Sequence, residues 1–132
     1  MNIVVDASSL IAVVTNEAQK GWLIDQTQSR ELMAPISVHF EVGNAFSAML
    51  KRRRVTVEQC LAAIKTYGAI PIRFVDVELA SALQIAALLD IYAYDAYLIR
   101  CAEKFQAPLL TLDQPLRTKA RAYGIQIMEP EQ

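Results

Sequence analysis

Two stretches of the chain run apolar and then stop at a carboxylate. They are Ile3-Val4-Val5-Asp6 near the start and Leu109-Leu110-Thr111-Leu112-Asp113 near the end. Two further acids, Glu41 and Asp95, stand among apolar neighbours close to expected helix starts. Carboxylates that share one cleft repel one another unless something cationic holds them. An all-oxygen ligand set suits a hard divalent ion, Mg²⁺ or Mn²⁺. Such an ion lowers the pKa of a water and offsets the charge that builds on a reacting phosphate, so the chemistry indicated is phosphodiester hydrolysis. Ser8, two residues beyond Asp6, offers a hydroxyl to the metal's surroundings or to a substrate phosphate.

Each acid also has a plain structural reading. Asp6 and Asp113 precede expected helices, where an aspartate oxygen caps orphan N–H groups. Glu41 near the start of a helix complements the positive dipole end. Asp95 reads equally as a cap, and Asp90, five residues earlier, as part of the preceding turn. The joint pattern favours chemistry, because all four lie at strand C-termini or helix N-termini, the element ends that face one edge of a parallel sheet.

The elements that must position them follow from the apolar pattern. Ile3 to Val5 and Leu109 to Leu112 read as strands buried on both faces, the mark of a parallel sheet. Ser8 to Thr15 reads as a short helix capped by Ser8 or Ser9, and Ala18 to Thr27 as a second with Trp22, Leu23 and Ile24 inward. Leu32 to Pro35 is a brief strand. Ser37 to about Arg53 is an amphipathic helix, with Val38, Val42, Ala45, Phe46 and Met49 at spacings of three and four. Thr56 with Glu58-Gln59 forms a capping arrangement for a helix to about Tyr67. Ile70 to Val75 is a strand whose proline suits a sheet edge or a strand start. Asp76 caps a helix to Leu88 or Leu89, and Tyr94 to Phe105 forms the next. Pro115 opens a helix to Tyr123 that Gly124 ends. Ile125 to Met128 is a last strand, and Glu129 to Gln132 a polar tail. Strands alternating with helices predict an α/β fold with a parallel sheet of about four to five strands.

Composition narrows the function classes. The 132 residues suit one domain, 1–132. A net charge of -1 and a pI near 5.8 give no global basic field, so a polyanion would be held by a local patch or through metal ions. Cys60 and Cys101, the two cysteines, lie in helical patterns without C-x-x-C spacing, which predicts reduced thiols. With no signal-peptide pattern and no apolar run of spanning length, the expectation is a cytoplasmic protein without membrane association. Hydrophobic residues make up 54% of the chain, which hints at a covered apolar face such as a homo-oligomer contact.

Asp6-Ala7-Ser8 after a strand, Glu41 in the third helix, Tyr94-Asp95-Ala96 at a helix start and Thr111-Leu112-Asp113 after a strand together resemble the PIN-domain family, and within it the VapC-type toxins of bacterial toxin–antitoxin pairs. The resemblance covers essentially the whole chain. It implies a PIN-like three-layer α/β/α fold and Mg²⁺- or Mn²⁺-dependent endoribonuclease activity. It also implies a homodimer and a cognate antitoxin that blocks the site. Carried over, Asp6, Glu41, Asp95 and Asp113 would be the metal-binding and catalytic acids, with Ser8 assisting. Ala7 departs from the family, many members of which carry threonine there, so the helper hydroxyl would come from Ser8 or Ser9.

Other features have two readings each. Lys51-Arg52-Arg53-Arg54 is the one dense basic run, and Arg52 lies eleven residues from Glu41, on the same helical face. Lys51, Arg52 and Arg53 are therefore candidates for RNA-phosphate contact, against simple solvation of a helix C-terminus. Arg100, Lys104, Arg117, Lys119 and Arg121 could extend that patch. Tyr92, Tyr94 and Tyr97 could stack on bases or serve as core or dimer contacts. His39, the lone histidine, reads as structural. The rival to a ribonuclease is a non-catalytic α/β binding module, either receiver-like or a decayed PIN domain. A receiver wants paired acids after the first strand and an acceptor aspartate after a middle strand, and neither is present. An aspartate-nucleophile phosphatase wants an acid where Ser8 stands.

Overall fold

The computed structural model describes residues 1–128; the polar tail expected at Glu129 to Gln132 lies outside them. In chain order the elements are β1 (Asn2–Val5), α1 (Ala7–Val14), α2 (Lys20–Thr27), β2 (Glu31–Pro35), α3 (Ser37–Lys51), α4 (Val57–Gly68), β3 (Ile72–Val75), α5 (Leu79–Leu89), α6 (Ala93–Phe105), β4 (Leu109–Leu110), α7 (Gln114–Tyr123) and β5 (Ile127–Met128). All five strands join one parallel sheet in the order β3-β2-β1-β4-β5. Helices cover both faces, which gives the three-layer α/β/α arrangement expected from the strand–helix alternation.

The chain runs from β1 outward through β2 to β3, then returns past β1 to lay down β4 and β5. The reversal falls between β1 and β4, where Val4 pairs with Leu109 and Val5 with Leu110. Right-handed crossovers then place α1 to α4 on one face and α5 to α7 on the other. Contacts agree: α1 packs on α2, α3 and α4, while α5 packs on α6. The two central strands are sealed on both sides, with Ile3, Val4, Leu109 and Leu110 at 0–1% exposure.

Several sequence expectations need correction, each for a local reason. β3 begins at Ile72 rather than Ile70, because Pro71 has no N–H to give the ladder; it is an edge strand, as the proline suggested. β4 ends at Leu110, since Thr111 leaves the ladder and turns its hydroxyl to Asp6. Asp76 does not cap α5; Glu78 holds that position without a side-chain capping bond. The helix after β1 is capped by Asp6, not by Ser8 or Ser9. In α2 Leu23 is buried and Trp22 half-buried, but Ile24 is exposed. The Thr56 arrangement is a full capping box, with Gln59 N–H donating to Thr56 Oγ1 at 3.1 Å and Thr56 N–H donating to Gln59 Oε1 at 2.9 Å.

A charged cluster ties α5 to α6. Arg100 meets Glu78 at 2.9 Å and Glu103 at 2.7 Å, and Lys104 meets Glu78 at 2.7 Å. Hydrogen bonds from Lys104 and Arg100 hold the Glu78 carboxyl down at about 2. Cys60 and Cys101 are both buried and free, and burial pushes the Cys101 thiol up to about 12, too high to supply a thiolate. Among the described residues no single helix is long and apolar enough to cross a membrane.

Leu110 lies at the centre of the sheet, 1% exposed, and its carbonyl accepts from Ser9. Leu110→Ala is expected to lower unfolding stability by about 2–5 kcal/mol, measured by urea denaturation, with the cavity as the main cause.

Candidate active site

The C-terminal edge of the sheet at the β1/β4 reversal is built around Asp6. Its backbone leaves β1 extended, and its carboxylate caps α1 by accepting the Ser9 N–H at 3.0 Å. Ser8 Oγ donates to the same carboxylate, 2.8 Å from Oδ1 and 2.9 Å from Oδ2. Thr111 Oγ1 donates to Oδ2 from the neighbouring strand end. Asp6 is 5% exposed and Thr111 fully buried. Burial raises the Asp6 pKa, against the lowering pull of the Thr111, Ser9 and Ser8 hydrogen bonds.

The hydroxyls also fix the loop that carries the next acid. Ser8 Oγ accepts the Leu112 N–H at 3.1 Å, and Thr111 Oγ1 accepts the Asp113 N–H at 3.0 Å. Arg117 donates from Nε to the Thr111 carbonyl at 2.9 Å. Ser9 Oγ reaches the Leu110 carbonyl at 3.1 Å, tying α1 to β4. Asp113 is exposed at the start of α7, where it accepts the Leu116 N–H at 3.1 Å. Its capping role is thus real, as is that of Asp6.

Asp95 and Glu41 have no such structural duty. Tyr92, not Asp95, is the residue at the N-cap of α6, and Asp95 sits in the first turn. Both acids are half-buried, and neither carboxylate takes part in a hydrogen bond among the described residues. Burial first, then the charges of Asp113 and Asp6, raise the Asp95 pKa. For Glu41, burial and the charges of Asp6 and Asp95 push the pKa up to about 7. Charge coupling thus links Glu41 to Asp6 and Asp95, and Asp95 to Asp6 and Asp113, although the four acids come from elements spread between residues 6 and 113.

The donor set is carboxylate and hydroxyl oxygen, the type that holds a hard divalent cation. Among the described residues no three Asp, Glu, His or Cys side chains converge closely enough to form a closed metal site. Mutual repulsion spreads carboxylates apart, and a cation would draw them in. The fit is therefore one of chemistry and electrostatics.

Sequence reading missed Thr111 as a site residue. The signal was present in Thr111-Leu112-Asp113, but a buried threonine in a strand looks like core until its hydroxyl partner is known. The basic candidates divide. Arg100 and Lys104 are engaged with Glu78 and Lys119 donates to the Leu89 carbonyl at 2.8 Å, so they do not extend a patch. Lys51, Arg52 and Arg53 are exposed where α3 ends, with Arg53 in a left-handed conformation at φ 55°. His39 has a structural contact, its Nδ1 2.9 Å from the Tyr67 hydroxyl.

The fold matches known proteins. A family model for the PIN domain matches residues 3–122, and the chain belongs to that family. Solved structures similar to it include PAE2754 from Pyrobaculum aerophilum, with a TM-score of 0.70 and 23% identity over 96% of this chain and 83% of that one. VapC20 of Mycobacterium tuberculosis, a sarcin-ricin loop cleaving toxin, matches with a TM-score of 0.67 and 19% identity over 97% and 99%. VapBC2 from Rickettsia felis, bound to a DNA fragment from its promoter, matches at 0.67 and 11% identity over 97% and 98%. No curated protein matches the chain significantly.

Two outcomes follow from this geometry. Thr111→Val keeps the shape but removes a hydrogen bond from a buried carboxylate, so urea denaturation is expected to show a loss of about 1–3 kcal/mol near neutral pH. Glu41 shifts from its ordinary 4.5 to about 7, so between those values the native state binds more protons than the unfolded one. In metal-free protein the stability of wild type relative to Glu41→Gln should therefore fall as pH rises from about 4.5 to 7. Thermal midpoints in EDTA measure this.

Proposed function

We propose that this PIN-domain protein is a Mg²⁺- or Mn²⁺-dependent endoribonuclease, the toxin of a type II toxin–antitoxin pair. The observation that carries the reading is the chain of charge coupling from Asp113 through Asp95 to Asp6 and Glu41, with Asp95 and Glu41 free of any structural bond. Asp6, Asp95 and Asp113, with Glu41, would hold the cation. When bound, it supplies Lewis acidity toward a water and the phosphate oxygens.

The chain's own residues do the rest. Ser8 and Thr111 orient the Asp6 carboxylate through O–H donors, which fixes which oxygen lone pairs face the cleft. Lys51, Arg52 and Arg53 are the proposed contacts for RNA phosphates outside the cleft, which otherwise repels a polyanion. The likeness to a VapBC complex supports an antitoxin partner. Exposed apolar side chains on one stripe of α4, at Val57, Leu61 and Ile64, support burial against a partner chain or in a homodimer. The two free thiols and the absence of a spanning helix among the described residues fit action in the cytoplasm.

The rival is a decayed PIN module that binds without cutting, favoured by the lack of a closed three-ligand group among the described residues. Incubating purified protein with total RNA in Mg²⁺, Mn²⁺ or EDTA separates the two. Cleavage is expected with metal and none with EDTA. Asp95→Asn should lose more than the roughly 10–100-fold that disturbing a ligand's supporting group costs. Folded, inhibitor-free protein that cuts nothing in any metal would favour the binding module.

A further inference from the structure

Beside the carboxylates lies a cavity of about 330 Å³ that the chemistry so far leaves unused. Its walls come from the start of α3 (Ile36, Ser37, Phe40), the segment from β3 into α5 (Val75 to Val77, Leu79) and the start of α6 (Tyr94, Tyr97). Two of these residues adjoin site acids in sequence: Phe40 precedes Glu41 and Tyr94 precedes Asp95. Ser37 is one helical turn before Glu41, so this part of the lining shares one face of α3 with Glu41. A strand held by its phosphate at the four acids would therefore bring its neighbouring nucleoside to this opening.

The lining selects among the parts of such a strand. Phe40 is 63% exposed and Tyr94 49%, unusual for aromatic side chains with no folding task. Tyr94 and Tyr97 meet edge to face, 6.2 Å between ring centres. No lysine or arginine lines the cavity, and Asp76 is the one acidic residue in its lining, its carbonyl accepting from Lys104 Nζ at 3.1 Å. Aromatic faces in a lining without lysine or arginine complement a flat base, not a sugar phosphate.

We propose that this cavity seats the unpaired nucleobase next to the phosphodiester presented to Asp6, Glu41, Asp95 and Asp113. Phe40 and Tyr94 are then the side chains that set which bases are accepted. The inference rests on the ribonuclease reading but assigns a site outside its metal-binding acids. A second copy of the chain covering the same face would have to bury Asp76.

The test has two arms. In the first, metal-free wild-type protein is titrated with each nucleoside 5′-monophosphate and with ribose 5-phosphate, and the ring resonances of Phe40 and Tyr94 are followed by NMR. Saturable shifts with nucleotides and none with the sugar phosphate are expected, whereas rings unmoved by every nucleotide would overturn the proposal. In the second, Phe40→Ala and Tyr94→Ala are compared with wild type on short single-stranded RNAs that vary at one position. Loss of about 10–100-fold in kcat/KM, concentrated on the preferred base, is expected from a lost stacking contact. Unchanged base preference in both variants would refute it. So would a dimer that dissociates in both variants while all sequences slow equally, which assigns the cavity to a second copy. Wild type that cuts no RNA would sink the ribonuclease reading alone, because the nucleotide titration reads the cavity directly.

Discussion

A carboxylate buried where the sheet reverses direction is the constraint on which the rest of this site depends. Asp6 costs free energy simply by being there, because an ionised group loses its water on burial. Three donors from two distant parts of the chain offset that cost: the Ser9 N–H, the Ser8 hydroxyl and the Thr111 hydroxyl. The same hydroxyls accept the N–H groups of Leu112 and Asp113. Orienting Asp6 and shaping the loop that carries Asp113 are thus one task.

Around that anchor two further acids stand close enough to feel one another's charge. Glu41 and Asp95 stand half-buried, raised in pKa by burial and by their neighbours' charges. The fold keeps them there because α3 and α6 are fastened elsewhere, through Val38, Val42 and Phe46 on one and Ala96, Leu98 and Ile99 on the other. Core packing thereby holds together a cluster that electrostatics alone would disperse. Stability given up in this way at a cleft is a common accompaniment of function.

The two helices that present the lone acids also present aromatic residues. Phe40 and Tyr94 line a cavity whose lining includes no lysine or arginine, while the exposed arginines lie at the far end of α3. Base contacts and phosphate contacts would then fall in separate places, which matches how single-stranded RNA is read: faces by stacking, backbone by charge.

Local chemistry determined much of this protein from the sequence. The apolar runs gave buried parallel strands, Thr56 with Gln59 gave its capping box, and Pro71 marked an edge strand, because each effect acts within a few residues. The candidate acids were legible for the same reason, as carboxylates standing at element ends. Tertiary structure alone decided which of them also work as caps: Asp6 and Asp113 do, while Asp95 and Glu41 are left without a structural bond. It alone placed Thr111 beside Asp6, 105 residues away in sequence, and ended β4 early to do so. It also committed Arg100 and Lys104 to Glu78 rather than to any ligand. Pairing across the sheet and ion pairing between helices depend on which elements become neighbours, and no local pattern encodes that.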